Sequence, residues 1–476
     1  MYGTRRIPTE VLCEIFSHLS SPLKVHEAHT FPWYLGQICS EWRATFLSMQ
    51  LYFWSEVGIE SPKADRKGKK RLRIARTMEI LTFFLDMTGG APFSFTLCAV
   101  RLELLIKKKE PYVQTILSKL LDHSAQWKDV SMEVQLSQLA LLRDIKNRLP
   151  LLQTLTLMLP YYEEDSLSPD DPDSVLRREL GDLFEDAPRL THIQLSYIFS
   201  VAWKFNWASL TSVRLSSTEG TQQIISTLRQ TINLEKFAVD EIFYPSYLNP
   251  AEIKIVKLPC LKCLSVCGVL LLTVLEAPAL KELKIKFEEE CATEEDAENG
   301  EPLADSEVAG RVNAFLARSK CELSKFSALS LASPVLNDIF SHMPDLQELH
   351  IKATYMPRIS KVFECLGGSE LGTQTVQPIE LPLSHLNVLS IFSFFEDEHL
   401  KVVIEMMARR NPTAGTIDAG PKEMTLDLKG MARHVTTELG SLETICEDRG
   451  IRFNLGQGCF FGNRLNAGLI EISQTD

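Results

Sequence analysis

The residues best suited to chemistry are three cysteines, Cys260, Cys263 and Cys267, and the run His26, Glu27, Ala28, His29. A structural zinc site needs four ligands, commonly from a second CxxC or a His pair at fixed spacing, and none follows here. On an extended strand Cys260 and Cys263 point to opposite faces. Cys263 and Cys267 share a face but stand about 13 Å apart at roughly 3.3 Å per residue, too far to share one ion. The three read as ordinary thiols. The histidines lack the i, i+4 spacing of a helical HExxH site and read as part of a solvated loop. No GxGxxG, GxxxxGK[ST] or GxSxG run occurs, so dinucleotide, phosphate-loop and α/β-hydrolase chemistry has no anchor. No metal, cofactor or catalytic residue is expected.

The 476-residue chain is too long for one compact core. Its formal charge is -12, so its overall field gives no attraction to a phosphate backbone, and nucleic acid is not an expected partner. Hydrophobic residues at 45% and charged residues at 24% suit a folded soluble chain. The longest mostly apolar run, Leu264 to Leu275, is too short to span a bilayer, and the first residues lack an apolar leader. The 11 scattered cysteines then read as reduced thiols of a cytoplasmic or nuclear protein. Basic runs at Lys63 to Arg73 and Lys107 to Lys109 read as solvated linker.

Stepping along the chain, Pro8 opens a helix, and Val11, Leu12, Ile15, Phe16 and Leu19 fall on one face. Ser20, Ser21 and Pro22 stop it. A second helix carries Leu35, Ile38, Cys39, Trp42 and Phe46. So wide an apolar stripe on two short helices either packs on its own chain or receives another protein.

The run Ile-Pro-Thr-Glu-Val-Leu-Cys-Glu-Ile-Phe-Ser-His-Leu at 7–19 resembles the opening of the F-box family. The segment from Pro32 to Ile59 resembles its continuation, a Val-Cys-x-x-Trp-Arg helix followed by a Leu-Trp-Ser strand entry. Ile7 and Ile38 replace the usual Leu and Val, and the loop between the blocks is long. The style is that of the large F-box families of mushroom-forming fungi. The resemblance implies a non-catalytic subunit that holds a Skp-type adaptor and, through it, a cullin. It places Ile7, Pro8, Val11, Leu12, Ile15 and Phe16 at or near the adaptor interface. Leu19, Ile38 and Cys39 then build the module's own core, and Trp42 serves core and interface together.

Farther on, one pattern returns: apolar-x-x-apolar-x-apolar. It occurs at Trp54/Val57/Ile59, Trp127/Val130/Met132, Leu152/Leu155/Leu157, Leu190/Ile193/Leu195, Leu210/Val213/Leu215 and Leu234/Phe237/Val239. It continues at Leu261/Leu264/Val266, Leu280/Leu283/Ile285, Phe326/Leu329/Leu331, Leu346/Leu349/Ile351 and Leu386/Leu389/Ile391. Pro precedes the first apolar residue by two at Pro150, Pro188, Pro259, Pro278 and Pro344. A period of roughly 20 to 27 residues is that of leucine-rich repeats, each a strand plus a helix or turn that buries its apolar face only by stacking. The Asn or Cys of a standard repeat is missing; Pro160, Ile198, Thr218, Ile242, Val269 and Glu288 stand in its place. A looser α/β or β-rich fold remains the other reading. Acidic breaks at Glu163 to Asp173 and Glu288 to Glu307 read as solvated loops.

The expected fold is thus α/β: a small α-helical F-box followed by a degenerate leucine-rich-repeat-like solenoid. Residues 1–50 are the F-box, 51–110 a connecting region with the first strands and the basic linker, 111–410 the solenoid, and 411–476 a C-terminal cap and tail. Strand alternation turns Thr154, Thr156, His192, Gln194, Ser212, Arg214, Lys236, Asp240, Glu282, Lys284, Glu348, His350 and Lys352 away from the core. That surface suits a protein substrate better than a small molecule. Of these, His192, Gln194, Arg214, Lys236, Glu282, Lys284, Glu348 and His350 are the candidate substrate contacts. The expected role is substrate receptor in a cullin-type ubiquitin ligase. The alternatives are a protein-binding repeat scaffold acting outside ubiquitination, and an enzyme whose site carries no recognisable motif.

Overall fold

A computed structural model describes residues 7–19, 22–25, 28, 31–59, 70–98, 112–159, 180–196, 203–216, 221–242, 254–286, 305–329, 333–352, 363, 366, 383, 385–395, 401–406, 425–431, 441–442, 444, 446 and 452–456. The protein is mixed α/β and built on a large parallel sheet. The chain divides into two compact units, one formed by Met1–Cys267 with Val274–Ala279, the other by Gly268–Thr273 with Leu280–Asp476.

The first unit opens with helix α1 (Thr9–Leu19) and strand β1 (Leu23–Lys24). Helices α2 (Leu35–Ile38), α3 (Ser40–Ser48) and α4 (Gln50–Phe53) follow, then β2 (Glu56–Ile59). Helix α5 (Lys70–Met87), β3 (Phe93–Cys98), α6 (Tyr112–Leu121) and β4 (Trp127–Glu133) come next. The sheet goes on through β5 (Thr154–Met158), β6 (His192–Ser196), β7 (Ser212–Ser216), β8 (Lys236–Val239) and β10 (Cys263–Cys267). Each of these strands is parallel to its predecessor in the sheet. A side pair, β9 (Val256–Lys257) with β11 (Leu275–Glu276), lies apart from it. Short helices α7 (Leu136–Leu139) and α8 (Thr221–Leu228) lie on crossovers. The second unit repeats the plan with β12 (Glu282–Lys286), α9 (Asp305–Ser319), β13 (Lys325–Leu329), α10 (Ser333–Phe340) and β14 (Glu348–Lys352). It ends with β15 (Val388–Phe395), β16 (Thr425–Met431) and β17 (Arg452–Gly456). These strands too are parallel and paired in chain order.

One local geometry recurs at the strand entries. The residue after the first apolar position turns its carbonyl to the next strand and accepts two successive N–H groups. Gln153 O takes Thr191 N and His192 N at 3.0 and 3.1 Å; Thr191 O takes Thr211 N and Ser212 N at 2.9 and 3.1 Å. Thr211 O and Glu235 O do the same in the first unit, and Lys281 O, Ser324 O and Gln347 O in the second. Hydroxyls reinforce this ladder: Thr211 Oγ1 donates to Thr191 O at 3.3 Å and Ser324 Oγ to Lys281 O at 3.2 Å. This ladder satisfies backbone groups at the strand entries.

The recurring prolines have a role in the preceding turn. Leu190 N donates to Ala187 O, Leu261 N to Leu258 O and Leu346 N to Met343 O, closing four-residue turns with Pro188, Pro259 and Pro344 in second place. Proline's fixed φ favours that position. The apolar triads then enter the core: Leu190, Ile193 and Leu195 are buried, as are Leu346, Leu349 and Ile351.

Four expectations are corrected. The triad Phe326/Leu329/Leu331 is out of phase: Leu323, Phe326 and Ala328 are buried, whereas Leu329 is half-buried. Alanine occupies an anchor position, which hid the phase. The second helix is broken at Cys39, whose φ of -156° is extended and whose Sγ accepts from Trp42 N at 3.5 Å as an N-cap. The basic run is not linker throughout, since α5 begins at Lys70. The acidic break assigned to Glu288 through Glu307 ends in helix, since α9 begins at Asp305.

Candidate functional site

Two surfaces carry the residues singled out from the sequence. The first lies on α1. Leu12 and Phe16 are buried, and the Phe16 ring meets Trp42 of α3 edge-on at 5.2 Å. The adjoining face of α1 is not covered by the described residues. Ile7, Val11, Ile15 and Leu19 are 41%, 42%, 38% and 42% exposed, and Pro8 is exposed. Val11, Ile15 and Leu19 each advance about 6 Å and turn about 40° around the axis, so they form one slanting stripe, which Ile7 extends just ahead of the helix.

The stripe therefore divides differently from the sequence expectation. Leu12 and Phe16, placed at the interface, sit beneath it as core. Leu19, Ile38 and Cys39, placed in the core, are exposed. The extended residue at Cys39 ends α2 and rotates the next helix, so a face computed for one continuous helix does not exist there. Trp42 is half-buried. Tyr34, Leu47 and Tyr52 are further exposed apolar side chains of this segment.

The stripe stands on a rigid base. Phe31 packs against Trp33, Phe46, Phe53 and Trp54, with ring centroids 4.7, 6.4, 6.0 and 5.1 Å away. Ring contacts continue from Trp54 to Phe84, Phe93, Phe95 and Trp127, reaching β4. Arg43 Nε donates to Gly36 O at 2.7 Å and ties α3 to α2. Because β1 pairs with β2, the helical segment is also hydrogen-bonded into the sheet edge.

The second surface is the outward side of the strands. Register gathers the predicted residues into rows. Thr154, His192, Ser212 and Lys236 are successive partners, and so are Thr156, Gln194 and Arg214. Arg214 is held by Asp240 through Nε to Oδ2 at 2.8 Å and Nη2 to Oδ1 at 3.0 Å, and Ser216 Oγ adds 2.6 Å to the same carboxylate. His192 Nδ1 lies 2.8 Å from Thr191 Oγ1. In the second unit Glu282, Lys325 and Glu348 form one row, with Lys325 Nζ 3.8 and 3.5 Å from the two carboxylates. Lys284 and His350 fall in the next row, and Lys352 beyond it. Lys325 was not singled out from sequence; a lysine between two register-paired glutamates becomes visible only once the register is known.

Two titrations are displaced. Burial, then the charge of Asp129, raises the Glu56 carboxyl above its ordinary range. Burial raises the Cys321 thiol, which keeps it protonated at neutral pH and poorly nucleophilic. Cys260 is exposed and Cys263 and Cys267 are half-buried. Among the described residues no group of three or more His, Cys, Asp or Glu could hold a metal ion, and no helix is long and apolar enough to cross a membrane. The run His26 to His29, apart from Ala28, lies outside the described residues, as do Lys63 to Lys69, Lys107 to Lys109, the acidic stretch Glu163 to Asp173 and the part of the second acidic break before Asp305. No family model matches the chain, and a search of characterised proteins finds no match.

Proposed function

We propose that this protein is a substrate-receptor subunit of a cullin ubiquitin ligase, with an F-box at its amino end and a degenerate leucine-rich-repeat-like solenoid behind it. The observation that carries the reading is the stripe Ile7, Val11, Ile15 and Leu19, exposed along and just ahead of a helix whose adjoining face is core. An uncovered aliphatic row on a short helix favours association with another protein. The resemblance of residues 7–19 and 32–59 to the F-box makes a Skp-type adaptor the partner, and through it a cullin. The strand succession and the carbonyl ladder support the repeat reading.

In this role the protein supplies no reacting group. It holds a substrate protein near a charged ubiquitin carrier and raises the effective concentration of the substrate's lysines. The aromatic chain from Phe31 to Trp127 suits that task, since a stiff base keeps the adaptor face fixed relative to the first strands. The test is affinity purification of the intact chain and of Ile7→Asp/Val11→Asp from cells, with mass spectrometry. Adaptor and cullin should co-purify with the intact chain and be lost with the variant, while other partners persist. Partners without any cullin would favour the scaffold reading instead.

A further inference from the structure

We draw no further inference here: the strongest candidate, the outward face of β2–β6 where Glu56 and Glu133 stand on either side of the in-register row Thr96, Ser131, Thr156 and Gln194, carries nothing, because Ser94 and Lys128 already hold the Asp129 carboxylate beside that row and nothing in the structure shows what covers it.

Discussion

Replacing Val11 and Ile15 together by Asp should abolish adaptor binding while leaving the fold in place. Full burial of a Val or Ile side chain stabilises by about 1.5–3 kcal/mol. With 42% and 38% of these side chains still exposed, docking can gain about 0.6–1.2 kcal/mol from each. Each introduced carboxylate must also be desolvated without a partner, at a further cost of about 1–3 kcal/mol. The pair therefore loses at least about 3 kcal/mol, more than a hundredfold in affinity. At exposed helical positions the same changes should cost the fold no more than about 1 kcal/mol. Leu12→Ala and Phe16→Ala are the contrast. Both residues are buried, so truncation should cost the fold about 2–5 kcal/mol and affect the adaptor only through unfolding. Isothermal titration calorimetry with purified adaptor, paired with circular-dichroism melting, separates the two behaviours. A folded double-Asp variant that binds within about threefold of the parent would refute the interface.

Three further outcomes follow from single side chains. Glu56→Gln should raise stability at neutral pH, because a carboxyl with a raised folded pKa binds its proton more tightly when folded. In the parent that group's contribution falls as pH rises from the ordinary Glu range through the raised folded value and stays low above it. Urea unfolding across that window should show the slope flattened in the variant, and an unchanged profile would remove Glu56 as its source. Trp54 is buried with an indole N–H that meets no acceptor among the described residues, so Trp54→Phe should cost less than about 1 kcal/mol by thermal melting despite the lost volume. Phe326→Ala should destabilise by about 3–5 kcal/mol and Leu329→Ala by much less, which denaturant unfolding can rank.

What sequence could show depended on whether a residue's role is periodic or contextual. Leucine at the first triad position sits in a turn whose proline fixes its φ, and the next two apolar residues must alternate inward, so most strands were legible from three residues. The same logic could have found β3, where Phe93, Phe95 and Leu97 alternate, and β17, where Phe453 and Leu455 do. They escaped because the leading Leu is replaced. At β13 the pattern misled, since Ala328 is an anchor too small to signal itself. The helical module failed differently. Its apolar residues are as evident as those of the sheet, but a single extended residue at Cys39 resets the helical phase, so Ile38 and Cys39 fall outside the core while Leu35 and Phe46 stay within it. Side-chain pairing across strands lies farther still from the sequence: Lys325 and Glu348, 23 residues apart, are neighbours only because the parallel register of β13 and β14 sets them side by side. The residues that anchor the strands are thus written locally, whereas those on the outward rows acquire their neighbours from register, and a search for function must begin from the rows.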